Sequence, residues 1–318
     1  MGHTPTNHAL PVRAGAGLAT ERTAHIMKKD IKVEVTNQII AHLEKGLDGG
    51  WEKPFFSSAA GSSFNVKSKK AYRGINIMIL AMSGQPSPIW GTYKQWQEAG
   101  AQVRKGEKST TIVFWKPIEK RDPSDGTKDK FMLARAYNVF NAAQVEGYEV
   151  AAPTEPAKDE TETIAEADAF FEATGIDIKT APGGAFYVPS RDYVSMPPRA
   201  DFKATKTSTV TDAYYSTLGH EVTHATGHKS RLDRSFKGIF GDSNYAAEEL
   251  VAEIGSAMVM NYLGLNATVR EDHSKYIKSW LAALRNDHNA IFTAASKAQA
   301  ALDWIVACQD SAEMAEAA

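Results

Sequence analysis

The segment Thr211–His228 constrains this chain more than any other. Inside it, His220-Glu221-Val222-Thr223-His224 spells H-E-x-x-H. On an α-helix, residues four apart lie one turn apart on the same face, so His220 and His224 can hold one metal ion. Glu221 is turned about 100° from His220 around the helix axis. It can therefore reach a water on that metal without binding the metal itself. Two imidazoles, a third ligand from elsewhere, an open position and a carboxylate base are the parts of a zinc hydrolase. Tyr214, Thr217 and Leu218 fall at i, i+3, i+4 and predict an amphipathic helix. Asp212 is the expected N-cap and Gly227 the expected stop.

A catalytic zinc takes three protein ligands and keeps one position free. The metzincin pattern H-E-x-x-H-x-x-G-x-x-H fits at Gly227 but fails at its last position, which is Ser230. A second helix is predicted from Asn244, as N-cap, to near Gly264, with Leu250, Val251, Ile254, Met258 and Tyr262 apolar. It also carries Glu248, Glu249 and Glu253. Here the chain resembles the gluzincin arrangement, in which a glutamate of a following helix completes the shell. In that arrangement an acidic residue one turn later supports a metal-bound histidine. The resemblance implies Glu249 as ligand, with Glu248 the alternative. It implies Glu253 as the carboxylate orienting His220 or His224 through the other ring nitrogen. His228 is a supporting candidate, and His228 or a tyrosine such as Tyr245 is placed to steady an oxyanion. Zn²⁺ is the expected ion, with another divalent metal such as Mn²⁺ as the alternative.

The N-terminal half has a different character. Residues 27–150 hold 19 Lys and Arg against 13 Asp and Glu, whereas residues 151–318 hold 15 against 24. A basic half and an acidic half imply different partners. The basic residues are interleaved with Tyr, Trp and Asn, which suits unpaired nucleic acid: cations neutralise phosphates and aromatic rings stack on bases. Arg73, Lys94, Arg104, Lys105 and Lys108 are the candidate phosphate contacts. Tyr72, Tyr93, Trp96 and Trp115 are the candidate stacking rings, and Asn76 is a polar candidate beside them. No recognition-helix signature for duplex DNA is present.

The order of elements predicts an α+β protein of two domains. Residues 1–26 read as a disordered leader, 27–150 as a single-stranded-DNA-binding domain, 151–161 as a proline-containing linker and 162–318 as a mostly helical domain with a small sheet. The aromatic entry around Trp51 and Pro54 reads as a loop, and residues 110–116 and 131–140 as strands joined by a charged hairpin. Closing helices are expected at 274–286 and 288–308, with a frayed tail after Asp310. Cys308 is the single cysteine, which excludes a disulfide framework and suits a reducing, cytoplasmic setting. No run of about 18 apolar residues predicts a membrane span.

Many spaced words along residues 33–263 resemble the ArdC-type antirestriction family. They include Trp51 with Pro54, Tyr72-Arg73-Gly74-Ile75-Asn76, Trp90 with Thr92-Tyr93-Lys94-Gln95-Trp96, Phe114-Trp115-Lys116 and Val139-Phe140-Asn141. In the second half Tyr215, the H-E-x-x-H with Gly227 and His228, Arg231-Leu232, Tyr245 and Glu248 to Glu253 match too. The resemblance implies a single-stranded-DNA-binding domain followed by a zincin-like metallopeptidase domain. It implies a protein of conjugative plasmids that protects entering DNA from restriction. Its protein substrate would be the restriction machinery or proteins bound to DNA. A non-catalytic shield on single-stranded DNA, with a structural or vestigial metal site, is the competing reading.

Overall fold

A computed structural model describes residues 30–47, 62–121, 128–149, 160–204, 208–234, 243–265 and 273–316. The expected leader, the loop around Trp51 and Pro54, the hairpin tip and most of the linker lie outside the described residues. The architecture is α+β in two parts, as the sequence predicts.

In the first part, α1 (Ile31–Leu47) buries Val35, Ile39 and Leu43, one turn apart. Strands β1 (Phe64–Asn65), β2 (Ile89–Gly91), β4 (Thr110–Arg121) and β5 (Lys128–Asn141) form a sheet in the order β1-β2-β5-β4. The long β4–β5 ribbon is antiparallel, with Thr110 opposite Val139 and Ile118 opposite Phe131. Helix α2 (Ile75–Met82) lies against β4, and α3 (Tyr93–Glu98) starts in a capping box made by Thr92 and Gln95. β3 (Gln102–Val103) pairs with β6 (Val145–Glu146) as a separate small ladder.

The second part opens with α4 (Glu160–Glu172), which takes in the last two residues of the expected linker. β7 (Asp177–Thr180), β8 (Phe186–Val188) and β9 (Tyr193–Met196) form a sheet in the order β7-β9-β8, leaving β8 as an antiparallel edge. Against it runs α5 (Val210–Thr226), followed by α6 (Ser243–Tyr262), α7 (His273–Asn286) and α8 (Ala290–Glu316). Three boundaries correct the sequence reading. Thr209, not Asp212, caps α5; Asp212 sits at the third helical position and closes the capping box by accepting from the Thr209 backbone. A box needs its acidic partner three residues after the cap, so Asp212 belongs to the pair in the other role. Asn244 lies inside α6, which begins at Ser243. The last helix also continues past Asp310 to Glu316.

The two parts share a core. Ile31, Val35, Ile39, Ile75 and Met78 of the first are in one buried cluster with Trp280, Leu284, Ile291 and Ala295 of the second. The seam is stitched by polar contacts. Arg73 pairs with Asp303, the Gly74 amide donates to Gln299 Oε1 (2.9 Å), and Arg285 pairs with Glu44.

Candidate metal centre

Helix α5 is buried along most of its length, including Leu218, His220, Glu221, Val222 and Thr223. It can be so because small residues let α6 come close. A Cβ on Gly255 would meet Thr223 Cγ2 at 2.5 Å and Oγ1 at 2.7 Å, and Ser256 Oγ donates to the Ser216 carbonyl at 2.6 Å. Close approach of the two helices is what carries the α6 carboxylates to the α5 histidines. Gly255→Val should therefore lower the unfolding free energy by about 1–3 kcal/mol through overpacking. Urea unfolding would measure it, and adding Thr223→Ala should recover part of the stability, as neighbouring sites couple.

The ring nitrogens divide by direction. His220 Nε2 and His224 Nε2 face each other at 3.2 Å, and the Glu249 oxygens lie 3.5 Å from each of them. All three ligand atoms fall within 4.8 Å of one another. Nitrogens held about 2.0–2.1 Å from a tetrahedral ion stand roughly 3.3 Å apart, so the donor triangle has the size of a first coordination shell. The outer nitrogens are served separately. His220 Nδ1 faces Glu253 Oε2 at 3.6 Å, and His224 Nδ1 faces Glu248 Oε1 at 3.4 Å. Glu253 thus attends His220 in particular. Glu248, the alternative ligand, points at the far side of His224 rather than into the triangle. It is held there by buried Arg234, whose Nη2 lies 2.9 Å from Glu248 Oε1 and whose Nη1 donates to Thr226 Oγ1 at 2.7 Å.

Burial would lower the proton affinity of His224, but hydrogen bonds to Glu248 and Glu249 and the charge of Glu221 push it well above the ordinary imidazole range. Burial would likewise raise Glu249, yet its bonds to His220 and His224 hold it far below the usual carboxylate range. The two carboxylates thus favour the protonated form of His224, and a cation entering the triangle would have to displace that proton. Apparent metal affinity should then climb about tenfold per pH unit through neutrality, releasing about one proton per ion. Calorimetry in buffers of different ionisation heat reads that release; an affinity independent of pH would contradict it.

His228 stands apart from this group. Its Nδ1 meets Ser230 Oγ at 2.7 Å and Asp192 Oδ2 at 3.4 Å, in a cluster with Arg231 and Tyr187. Tyr245 is half-buried on α6, one turn before Glu249.

The N-terminal candidates scatter. Trp96 is fully buried; its Nε1 donates to the Phe140 carbonyl at 2.9 Å and its ring packs on Tyr148. It is core and offers no stacking face, which corrects the expectation. Asn76 is also spent on structure: its amide donates to the Val113 carbonyl and accepts from the Val113 amide, both at 2.8 Å. It satisfies the outer edge of β4, so its orientation is set by the strand. Trp115 packs edge-on against Phe292 on the shared core. Tyr72 is half-buried, accepting from Asn65 Nδ2 at 3.1 Å, and Arg73 is engaged with Asp303 at the seam. Arg104 is held by Glu107 and the Ala143 carbonyl. Lys94, Lys105 and Lys108 are exposed. Tyr93, Arg104 and Lys105 line one open pocket of about 590 Å³ with Phe140, Glu107 and Glu146.

This fold and site define a two-part protein whose second part is a zincin-like domain. Residues 165–297 match the zincin-like metallopeptidase family, and residues 29–140 match the N-terminal domain of anti-restriction factor ArdC. A protein of Sinorhizobium fredii, y4eC, is 44% identical over 313 residues, covering 94% of this chain and 98% of that protein. DNA primase TraC of Escherichia coli is 35% identical over 300 residues, which are 88% of this chain but 20% of TraC. The metal-free crystal structure of antirestriction protein ArdC from plasmid R388 superposes with a TM-score of 0.71 at 39% identity, covering 89% of this chain and 98% of that one. Its Mn(II)-bound form gives 0.69 at 38%, covering 88% and 98%. The chain belongs to the ArdC antirestriction family.

Proposed function

We propose that the protein binds single-stranded DNA and carries a zinc-dependent peptidase site, protecting DNA that enters by conjugation from host restriction. The reading is carried by the donor triangle of His220, His224 and Glu249 with Glu221 buried on the next helical position. Zn²⁺ is the proposed ion because a two-imidazole, one-carboxylate set is that of known catalytic zinc sites; Mn²⁺ is the alternative. Such an ion, when bound, lowers the pKa of a water to about 7 and polarises a peptide carbonyl. Glu221 takes the proton of the attacking water and returns it to the leaving amine. Glu253 and Glu248 fix the imidazoles so that both Nε2 atoms stay turned inward. Strand β8, an antiparallel edge beside α5, is the natural place for an extended substrate to add a strand. Holding DNA raises the effective concentration of the peptidase on proteins bound to the same strand, which places the substrates among DNA-bound proteins or the restriction machinery of the cytoplasm. Among the described residues no helix is long and apolar enough to cross a membrane.

Metal content and affinity for labelled single strands, measured on the wild type and on His224→Ala, test both halves. The wild type should hold one ion per chain, and the variant should lose it while keeping its DNA affinity. A wild type that takes up neither Zn²⁺ nor Mn²⁺ rejects the metal site. DNA affinity should fall steeply with added salt if phosphate contacts dominate; a flat response rejects the basic surface.

A further inference from the structure

The β4–β5 ribbon has two faces, and they are treated differently. Opposed residues of an antiparallel pair share a face, and every second residue returns to it. On one face Val113, Trp115 and Ala134 lie against the shared core. The other begins with Ile112 and Val139, which are covered by Leu80, Trp90 and half-buried Tyr72. Beyond that point the face is open. Tyr137 stands opposite Ile112, Phe114 opposite Arg135, and Lys116 opposite Leu133. Phe114 is 54% exposed and Tyr137 43%, and their rings meet edge to face with centroids 5.8 Å apart. Arg135 and Lys116 are exposed, and among the described residues neither forms an ion pair.

Two large rings kept together outside the core mark an interaction surface. Their immediate neighbours choose the partner. A hydrophobic protein interface would be ringed by apolar or mixed charge, whereas here both flanking charges are positive and, among the described residues, without an ion-pair partner. Rings that accept any base, with cations beside them for the backbone, are the parts of a sequence-tolerant strand-binding platform. An open face with exposed rings also suits an unpaired strand better than a duplex, whose bases are already stacked.

We propose that single-stranded DNA lies along this open face, with bases on Phe114 and Tyr137 and phosphates at Arg135 and Lys116. The assignment rests on the reading that the protein binds single-stranded DNA. It replaces the scattered candidates with one continuous surface that reaches Tyr72 at its covered end.

Fluorescence anisotropy with a labelled oligothymidine, on the full chain at fixed salt, tests it. Phe114→Ala with Tyr137→Ala should weaken binding by about tenfold or more for each ring. Phe114→Trp should keep the affinity. Lys116→Gln with Arg135→Gln should flatten the salt dependence, by about 0.7 in log–log slope for each phosphate that is no longer neutralised. All four positions are exposed, so melting curves should match the wild type. Wild-type affinity in the Phe114/Tyr137 variant overturns the assignment and leaves strand binding to another surface, which Tyr93→Ala with Lys105→Gln would probe at the pocket those two residues line. If protection from restriction disappears while strand affinity stays, a protein docks on the rings and the assignment also falls. A wild type with no affinity for single strands removes the functional reading itself.

Discussion

Glu221→Gln should cut hydrolysis of a susceptible protein substrate by about 10²–10⁴-fold, the usual worth of a positioned general base. Metal binding should survive, because the donor atoms that could hold an ion belong to His220, His224 and Glu249. The amide is isosteric and can still hydrogen-bond, so what the variant lacks is the capacity to take a proton. Cleavage is read on DNA-bound proteins by gel, and metal content is read on the same preparation. Equal cleavage by wild type and variant would eliminate Glu221 as the base. Protection of incoming DNA by the variant, equal to that of the wild type, would favour the non-catalytic shield instead.

Arg234→Met is the second large effect. Arg234 and Glu248 form a buried pair at 2.9 Å, and the guanidinium also binds Thr226 Oγ1 and the Thr223 carbonyl. Removing one partner of a buried pair leaves the other charge stranded, which costs about 3–5 kcal/mol. The double variant Arg234→Met with Glu248→Leu should regain much of that stability, since no unpaired charge remains. Metal affinity separates the two roles of Glu248. The double variant should still bind the ion about 10–100-fold more weakly, because His224 no longer has the carboxylate that orients it. Recovery of stability and metal affinity together would mean that Glu248 has no part in holding the imidazole.

The H-E-x-x-H helix was legible because its signal is local. An i, i+4 histidine pair fixes its own geometry once the segment is helical, and Glu249 with Glu253 repeats that spacing on α6. What escaped depends on neighbours distant in sequence. The role of Glu248 needs Arg234, which is brought round by the turn after α5, where the Arg234 amide donates to the Gly227 carbonyl. Nothing in the spacing of 234 and 248 announces that pair. In the first half, composition counted aromatic rings without locating them. Trp96 and Trp115 went to the core, while Phe114 and Tyr137 stayed out. The alternation of Ile112, Phe114 and Lys116 along a strand was the available signal, but it needed the register with β5 to show which face lay open.

The stitched seam has a consequence for how the gene can be cut. Severing the chain between its halves would bare Ile39 and Met78 on one fragment and Trp280 and Ile291 on the other, so neither piece should stay in solution by itself. The stretch shared with TraC is nearly the full length of this chain, set within a protein several times longer. TraC carries the counterparts of both halves together, and a vector designed to borrow only one half would have to carry both.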